Sequence, residues 1–196
     1  MKKQCVLILI VLNICFFSCR QKTQKKNTDQ SPLSELSIFN LPSEWTTHKN
    51  EDITLDSLRG NVIVLVMVYT SCKAACPRLV SDMKNIHKQL KDNNPDRLKM
   101  VLVSIDPKTD TPERLNSFAI ENQIDQKPWL LLRSTEGNTR ELANVLAVKY
   151  KSISPIDFSH SNIISIFNTE GELVFQQEGL ALDHKTTVET IKKQLE

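Results

Sequence analysis

The sequence predicts an α/β fold with one central mixed sheet flanked by helices. Three observations carry this reading. Two continuous aliphatic and β-branched runs, Asn61 to Thr70 and Leu98 to Asp106, have the composition of strands buried on both faces. Each leads into apolar residues at helical spacing. The carboxyl-terminal part then changes pattern, to a hairpin and a closing helix.

Taken in order, Ile53-Thr54-Leu55 alternates and Ser57-Leu58-Arg59-Gly60 reads as a turn before the first buried strand. After that strand, Pro77 suits the first turn of a helix, and Leu79, Val80, Met83, Ile86 and Leu90 continue it until Asn93-Asn94-Pro95. The second buried strand ends in a turn, from which a helix starts with Thr111 as N-cap, Pro112 at its first position and Glu113 in its first turn. A short strand at Trp129 to Leu132 and a helix from about Gly137 to Val148 follow. Asn162 to Phe167 and Glu172 to Phe175 pair around Asn168-Thr169-Glu170-Gly171, and Lys185 to Leu195 closes the chain. This order, with a parallel and an antiparallel half in one sheet, is that of a thioredoxin-like fold.

The domain is expected over residues 45–196, of ordinary size for one core. Ahead of it, Lys2, Lys3 and the apolar run Val6 to Phe17 read as an export signal over residues 1–18, too short for a comfortable membrane span. Cys19 follows Ser18 at the end of that run, as in a lipoprotein cleavage motif, and is the expected lipidation site. Residues 19–44 then form a polar tether. Localisation outside the cytoplasm on a bacterial membrane, facing the periplasm, follows from these features. Removing residues 1–18 takes two of the 25 lysines and arginines and none of the 23 acids, so the remaining chain is neutral. No basic face for nucleic acid is implied.

Cys5 and Cys15 leave with the signal and Cys19 is consumed by lipid, so Cys72 and Cys76 remain as the thiol pair. In an oxidising compartment such a pair forms a disulfide, cycles with a reductant, or holds a metal. A purely structural staple closing so small a loop stabilises little. The pair lies where a buried strand turns into a helix, the usual position of sites in open α/β sheets. There the helix N-terminus, reinforced by Lys73, should depress a thiol pKa. Residues four apart on a helical first turn share a side, so both sulfurs are expected to converge, a soft donor pair suited to copper(I) or zinc.

A third ligand must come from elsewhere. His160 stands just before the final hairpin, in a loop that the topology brings beside the cysteines, and is the strongest of four histidines. A lone loop histidine is more often an ordinary residue than a ligand, and position is what favours this one. His87 reads as a surface residue of the first helix, His48 as part of a polar stretch, and His184 as a neighbour of a capping Asp183. Asp106 and Asp110 read as turn formers.

Three segments taken together, TSCKAACP, SIDPKTDTPERL and SHSNIISIFNTEGELV, resemble the Sco (SenC) family of copper-binding proteins over most of Ile53 to Leu195. The resemblance rests on Cys72, Cys76 and Pro77, on Ser104 to Pro107 followed by Asp110-Thr111, and on His160. It implies a thioredoxin fold and copper, as Cu(I) or Cu(II), bound by Cys72, Cys76 and His160. It also implies a periplasmic role in maturing the copper site of cytochrome c oxidase or a related cuproenzyme, with an apo-cuproprotein and a copper donor as partners. Where the family often has a proline and an acid between the cysteines, this chain has Lys73, Ala74 and Ala75. Where the family commonly has Asp before the histidine, this chain has Ser159, with Asp157 two places earlier. These changes remove negative charge, which weighs against copper(II) more than copper(I).

Two functions follow. One is a non-enzymatic metallochaperone that passes copper by ligand exchange. The other is a thiol–disulfide oxidoreductase using Cys72 and Cys76 on a partner's cysteines. The spacing of three residues, where thioredoxins have two, disfavours a general reductase. No Pro-x-x-x-Thr-x-x-Cys arrangement of a peroxiredoxin occurs.

Overall fold

A computed structural model describes residues 32–90, 95–154 and 157–196. The expected signal, Cys19 and most of the tether lie outside the described residues, as do Asn93 and Asn94. No described helix is long and apolar enough to cross a membrane.

The strands are β1 (Glu44–Thr47), β2 (Asp52–Thr54), β3 (Val62–Val68), β4 (Leu98–Ser104), β5 (Trp129–Arg133), β6 (Tyr150–Ser154), β7 (Asp157–His160), β8 (Ile163–Phe167) and β9 (Leu173–Glu178). The helices are α1 (Ala75–Gln89), α2 (Pro112–Glu121), α3 (Glu136–Val145) and α4 (Lys185–Leu195). Among the described residues, seven strands form one sheet in the order β2-β1-β5-β4-β3-β8-β9. Its centre is parallel, with Val62 opposite Leu98 and Val68 opposite Ser104, and Met100 opposite Trp129. Its flanks are antiparallel, β1 against β5 and β8 against β3. The thioredoxin-like architecture is therefore present.

Every residue of β3 is buried, which explains its unbroken apolar sequence: both faces are covered, so no position tolerates polarity. Helix α1 buries Cys76, Leu79, Val80, Met83 and Ile86, a stripe at three- and four-residue spacing. Helix α2 starts as its sequence directs, with Thr111 Oγ1 accepting from the Arg114 N–H and Pro112 inside the first turn. Helix α3 has the equivalent cap in Thr135, and so begins one residue before the expected Gly137 and ends at Val145.

The folded body starts earlier than Trp45. Ile38 and Phe39 form a short 3-10 turn and are buried in the core, so the polar tether cannot extend to residue 44. That segment is clamped to the turn between β8 and β9. The Ile38 N–H donates to Gly171 O at 2.9 Å, and the Ser37 hydroxyl donates to Glu170 O at 2.5 Å. Gly171 has φ of +78°, and a Cβ there would lie 2.7 Å from the Phe39 ring, so glycine serves both the turn and the close approach.

Strands β6 and β7 are an addition that the periodicity did not reveal. Among the described residues they pair with each other alone, Tyr150 opposite His160 and Ser152 opposite Phe158, as a separate two-stranded ribbon. The β6 residues after Tyr150 are exposed, which leaves a polar sequence without the alternation of a half-buried strand.

Candidate metal centre

Strand β3 delivers the chain to the site. After Val68, Tyr69 is still buried, and Asp110 holds the next residue: its carboxylate accepts from the Thr70 hydroxyl at 2.5 Å and from the Thr70 N–H at 3.2 Å. The same carboxylate accepts from the Ser104 hydroxyl at 2.5 Å, which fastens the ends of β3 and β4 together. Burial raises the Asp110 carboxyl pKa, and the Ser104 and Thr70 donors oppose that rise. Asp110 thus does more than form the turn its sequence suggests. Asp106 keeps the turn role, its carbonyl accepting from the N–H groups of Thr109 and Asp110.

The two thiols converge, though not as neighbours on a helical turn. Cys72 precedes the helix, held by its N–H donating to Tyr69 O at 3.3 Å, while Cys76 is the second residue of α1. Ala74 at the N-cap has no side chain able to accept, and Cys72 Sγ takes the Cys76 N–H instead, at 3.2 Å. A sulfur in place of a capping oxygen brings the residues together. Both cysteines are free, Cys76 fully buried and Cys72 partly exposed.

Their protonation behaviour diverges. Burial acts to raise the Cys72 pKa, but hydrogen bonds from the Cys76 side chain and from the backbone N–H groups of Cys76 and Ala74 outweigh it, and Cys72 lies below the ordinary thiol value. Hydrogen bonding makes this depression. Burial pushes Cys76 far up, helped by its hydrogen bond to Cys72 and by the nearby negative charge of Cys72 and Asp110.

His160, the last residue of β7, completes the group. The three donor atoms of Cys72, Cys76 and His160 lie within 4.8 Å of one another, and His160 Nε2 is 3.7 Å from Cys76 Sγ. Its Nδ1 is 3.0 Å from the Ser161 carbonyl oxygen. A carbonyl can only accept, so Nδ1 carries the proton and the Nε2 lone pair faces the sulfurs, the tautomer a ligand needs. Thiolate–metal and imidazole–metal bonds of about 2.3 and 2.0 Å, opened to trigonal angles, separate sulfur and nitrogen by about 3.7 Å. The donor set therefore fits a small soft ion.

The other histidines lie elsewhere. His48 is buried and its Nδ1 accepts from the Leu131 N–H. His87 is partly buried, with its ring edge-on to Trp129 at 5.5 Å. His184 is buried between Gln177 and Asp82 and itself takes the N-cap position of α4, so Asp183 is not the expected cap but lies one residue ahead, accepting the Lys185 N–H. Sequence reasoning passed over Tyr69 and Asp157. The Tyr69 hydroxyl donates to Asp157 Oδ1, and its ring packs edge-on against His160 at 5.8 Å. The available signal was an aromatic residue closing a buried strand immediately before Thr70-Ser71-Cys72.

Comparison with known proteins agrees with this geometry. The profile of the SCO1/SenC family matches residues 33–196. A SCO1 protein homolog of Bacillus subtilis is 31% identical over 94 residues, 46% of this chain and 48% of that protein, so the match spans about half of that relative's length. A SCO2-like protein of Rickettsia typhi is 25% identical over 67% of this chain and 66% of its own length. The structure of a SCO1/SenC family lipoprotein from Bacillus anthracis superposes with a TM-score of 0.73, at 20% identity, covering 84% of this chain and all of that one. Arabidopsis thaliana ScoI with copper bound gives 0.68 at 18% identity, covering 78% of this chain and 95% of that one. The family profile spans the sheet, the thiol loop and the His160 ribbon alike: the chain belongs to the SCO1/SenC family.

Proposed function

We propose that the protein is a copper carrier, holding the ion with Cys72, Cys76 and His160 and surrendering it by ligand exchange to an apo-cuproprotein such as a subunit of cytochrome c oxidase. The convergence of two sulfurs and one correctly tautomeric ring nitrogen within 4.8 Å carries this reading. Copper-bound structures of relatives from Arabidopsis thaliana, Bradyrhizobium japonicum and yeast support the choice of ion. Two thiolates and an imidazole suit copper(I), and a three-coordinate set leaves room for an incoming ligand from a client. Asp157 turns a carboxylate oxygen to the Tyr69 hydroxyl, and Ser159, on the exposed face of β7, carries no charge where the family commonly has an acid.

Acylation of Cys19 would hold this carrier on a bacterial membrane, facing the periplasm. The name of the Bacillus anthracis relative, a lipoprotein, supports that placement.

The experiment is titration of the reduced protein with copper(I), comparing wild type with His160→Ala. One ion should bind per chain, and the variant, which loses a ligand and not merely a ligand's hydrogen-bond partner, should lose at least about tenfold in affinity. Equal binding by both proteins would refute the carrier.

The free thiol pair and the depressed Cys72 favour a second reading, thiol–disulfide exchange. The Cys72 thiolate would attack a partner's disulfide, releasing one partner thiolate. Cys76 would then attack the mixed disulfide, releasing the second and leaving Cys72 and Cys76 joined, two electrons having passed to the partner. Exchange that persists undiminished in His160→Ala, without copper binding, selects this reading.

A further inference from the structure

The third donor is carried by an element that the main sheet does not hold. Among the described residues, strands β6 and β7 form their own two-stranded ribbon, with no ladder joining it to the seven-stranded sheet. Two-stranded ribbons are marginal alone, so the position of His160 depends on contacts outside the ladder.

Tyr69 supplies a set of such contacts from one side chain. It is 2% exposed, and its hydroxyl donates to Asp157 Oδ1 at the start of β7 and accepts from the Phe158 N–H at 3.3 Å. Its ring stands edge-on to Phe158 at 5.2 Å and to His160 at 5.8 Å. On its other side, its carbonyl accepts the Cys72 N–H. One residue thus touches the loop that bears a thiol and the ribbon that bears the imidazole. A buried phenol needs a polar partner, and a carboxylate acceptor gives a stronger bond than a neutral one.

We propose that the hydrogen bond between Tyr69 and Asp157 is a latch that holds the His160 ribbon against the thiol pair, so that its opening withdraws the imidazole and sets how fast cargo is released. Tyr69 and Asp157 are positioning residues: neither donates to the ion. The latch rests on the reading that His160 holds copper, and it adds a route for release. A client displaces one loosely held nitrogen before it meets the two sulfurs.

The test uses the full chain, reduced and in detergent, as wild type, Tyr69→Phe, Asp157→Ala, Asp157→Asn and the double variant Tyr69→Phe with Asp157→Ala. Backbone hydrogen exchange of the metal-free protein reads the ribbon directly. Amides of Phe158 to His160 should exchange about tenfold faster in Tyr69→Phe and Asp157→Ala, while β3 and α1 stay unchanged. Asp157→Asn keeps an acceptor oxygen and should remain within about twofold of wild type. At Ser159 and His160 the double variant should be no faster than either single one, since both remove the bond between Tyr69 and Asp157; Phe158 is outside that comparison, because its N–H donates to both side chains. Transfer of copper(I) to bicinchoninate should accelerate by a similar factor in the same variants. Unchanged exchange in the ribbon overturns the latch, and so does acceleration spread equally through β3 and α1, which would make Tyr69 an ordinary core residue. If His160→Ala leaves copper transfer unaltered, the carrier reading fails, and the exchange measurement still decides whether the ribbon is latched.

Discussion

The thiol side and the imidazole side of the site are built to different standards. Cys76 is seated on a helix whose apolar stripe packs into the core, and it follows a strand buried along all seven residues. His160 ends a ribbon whose first strand is exposed after Tyr150 and whose two strands, among the described residues, pair only with each other. The sulfurs therefore share the stability of the whole domain, whereas the ring nitrogen shares that of a local element, which can open with little cost to the rest. A fixed pair of strong donors with a separately mounted weaker one can retain an ion without trapping it.

The contrast can be broken most directly at the sulfurs. Cys76→Ser should cost more than about a hundredfold in copper(I) affinity, exceeding the loss in His160→Ala, because a hard hydroxyl replaces a soft thiolate and the ligand itself is lost. Competition with a chromogenic chelator measures both, and equal losses would mean that the two sides are not graded.

Stability should divide along the same line. Leu79→Ala, at a fully buried position of α1, is expected to lower unfolding free energy by about 2–5 kcal/mol. Urea unfolding followed by circular dichroism reads this change.

Alkylation sharpens the comparison within the thiol pair. Iodoacetamide at neutral pH should modify Cys72 at least about tenfold faster than Cys76, since Cys72 is partly exposed with a lowered pKa and Cys76 is buried with a raised one. The sign follows from linkage. The Cys72 thiolate is favoured by folding, so its contribution to stability is present above the ordinary thiol pKa of about 8.5 and fades as pH falls through the lower folded value. Mass spectrometry of the alkylated peptides from pH 6 to 9 (about the range where a thiol titrates) tests this. A faster Cys76 would overturn the assignment.

The smallest effect belongs to the ribbon. Ile153→Ala, on the exposed strand β6, should change unfolding free energy by no more than about 0.5 kcal/mol in the same urea titration.

The parts of the fold that were legible in the sequence are those where burial dictates composition. Val62 to Val68 can only be apolar because both faces are covered, and Thr111-Pro112-Glu113 could only start a helix. The thiols and His160 were legible because donor chemistry restricts residue type. Strands β6 and β7 were not, because β6 is exposed from Lys151 to Ser154 and the alternation of β7 lasts only four residues. Ile38 and Phe39 lie beyond a polar stretch, and two buried residues are too few to form a pattern. The route by which Cys72 and Cys76 meet was also hidden, since a sulfur accepting a helix N–H is a matter of backbone path.

The clamp of Ser37 and Ile38 onto the turn at Gly171 places the start of the described body at one end of the sheet. That turn follows Phe167, which pairs with Ile63 near the start of β3, whereas the cysteines follow the other end of the same strand, about 20 Å away at a strand's rise per residue. Pulled from its amino-terminal segment, the domain would hang with its donors pointing away from the point of attachment.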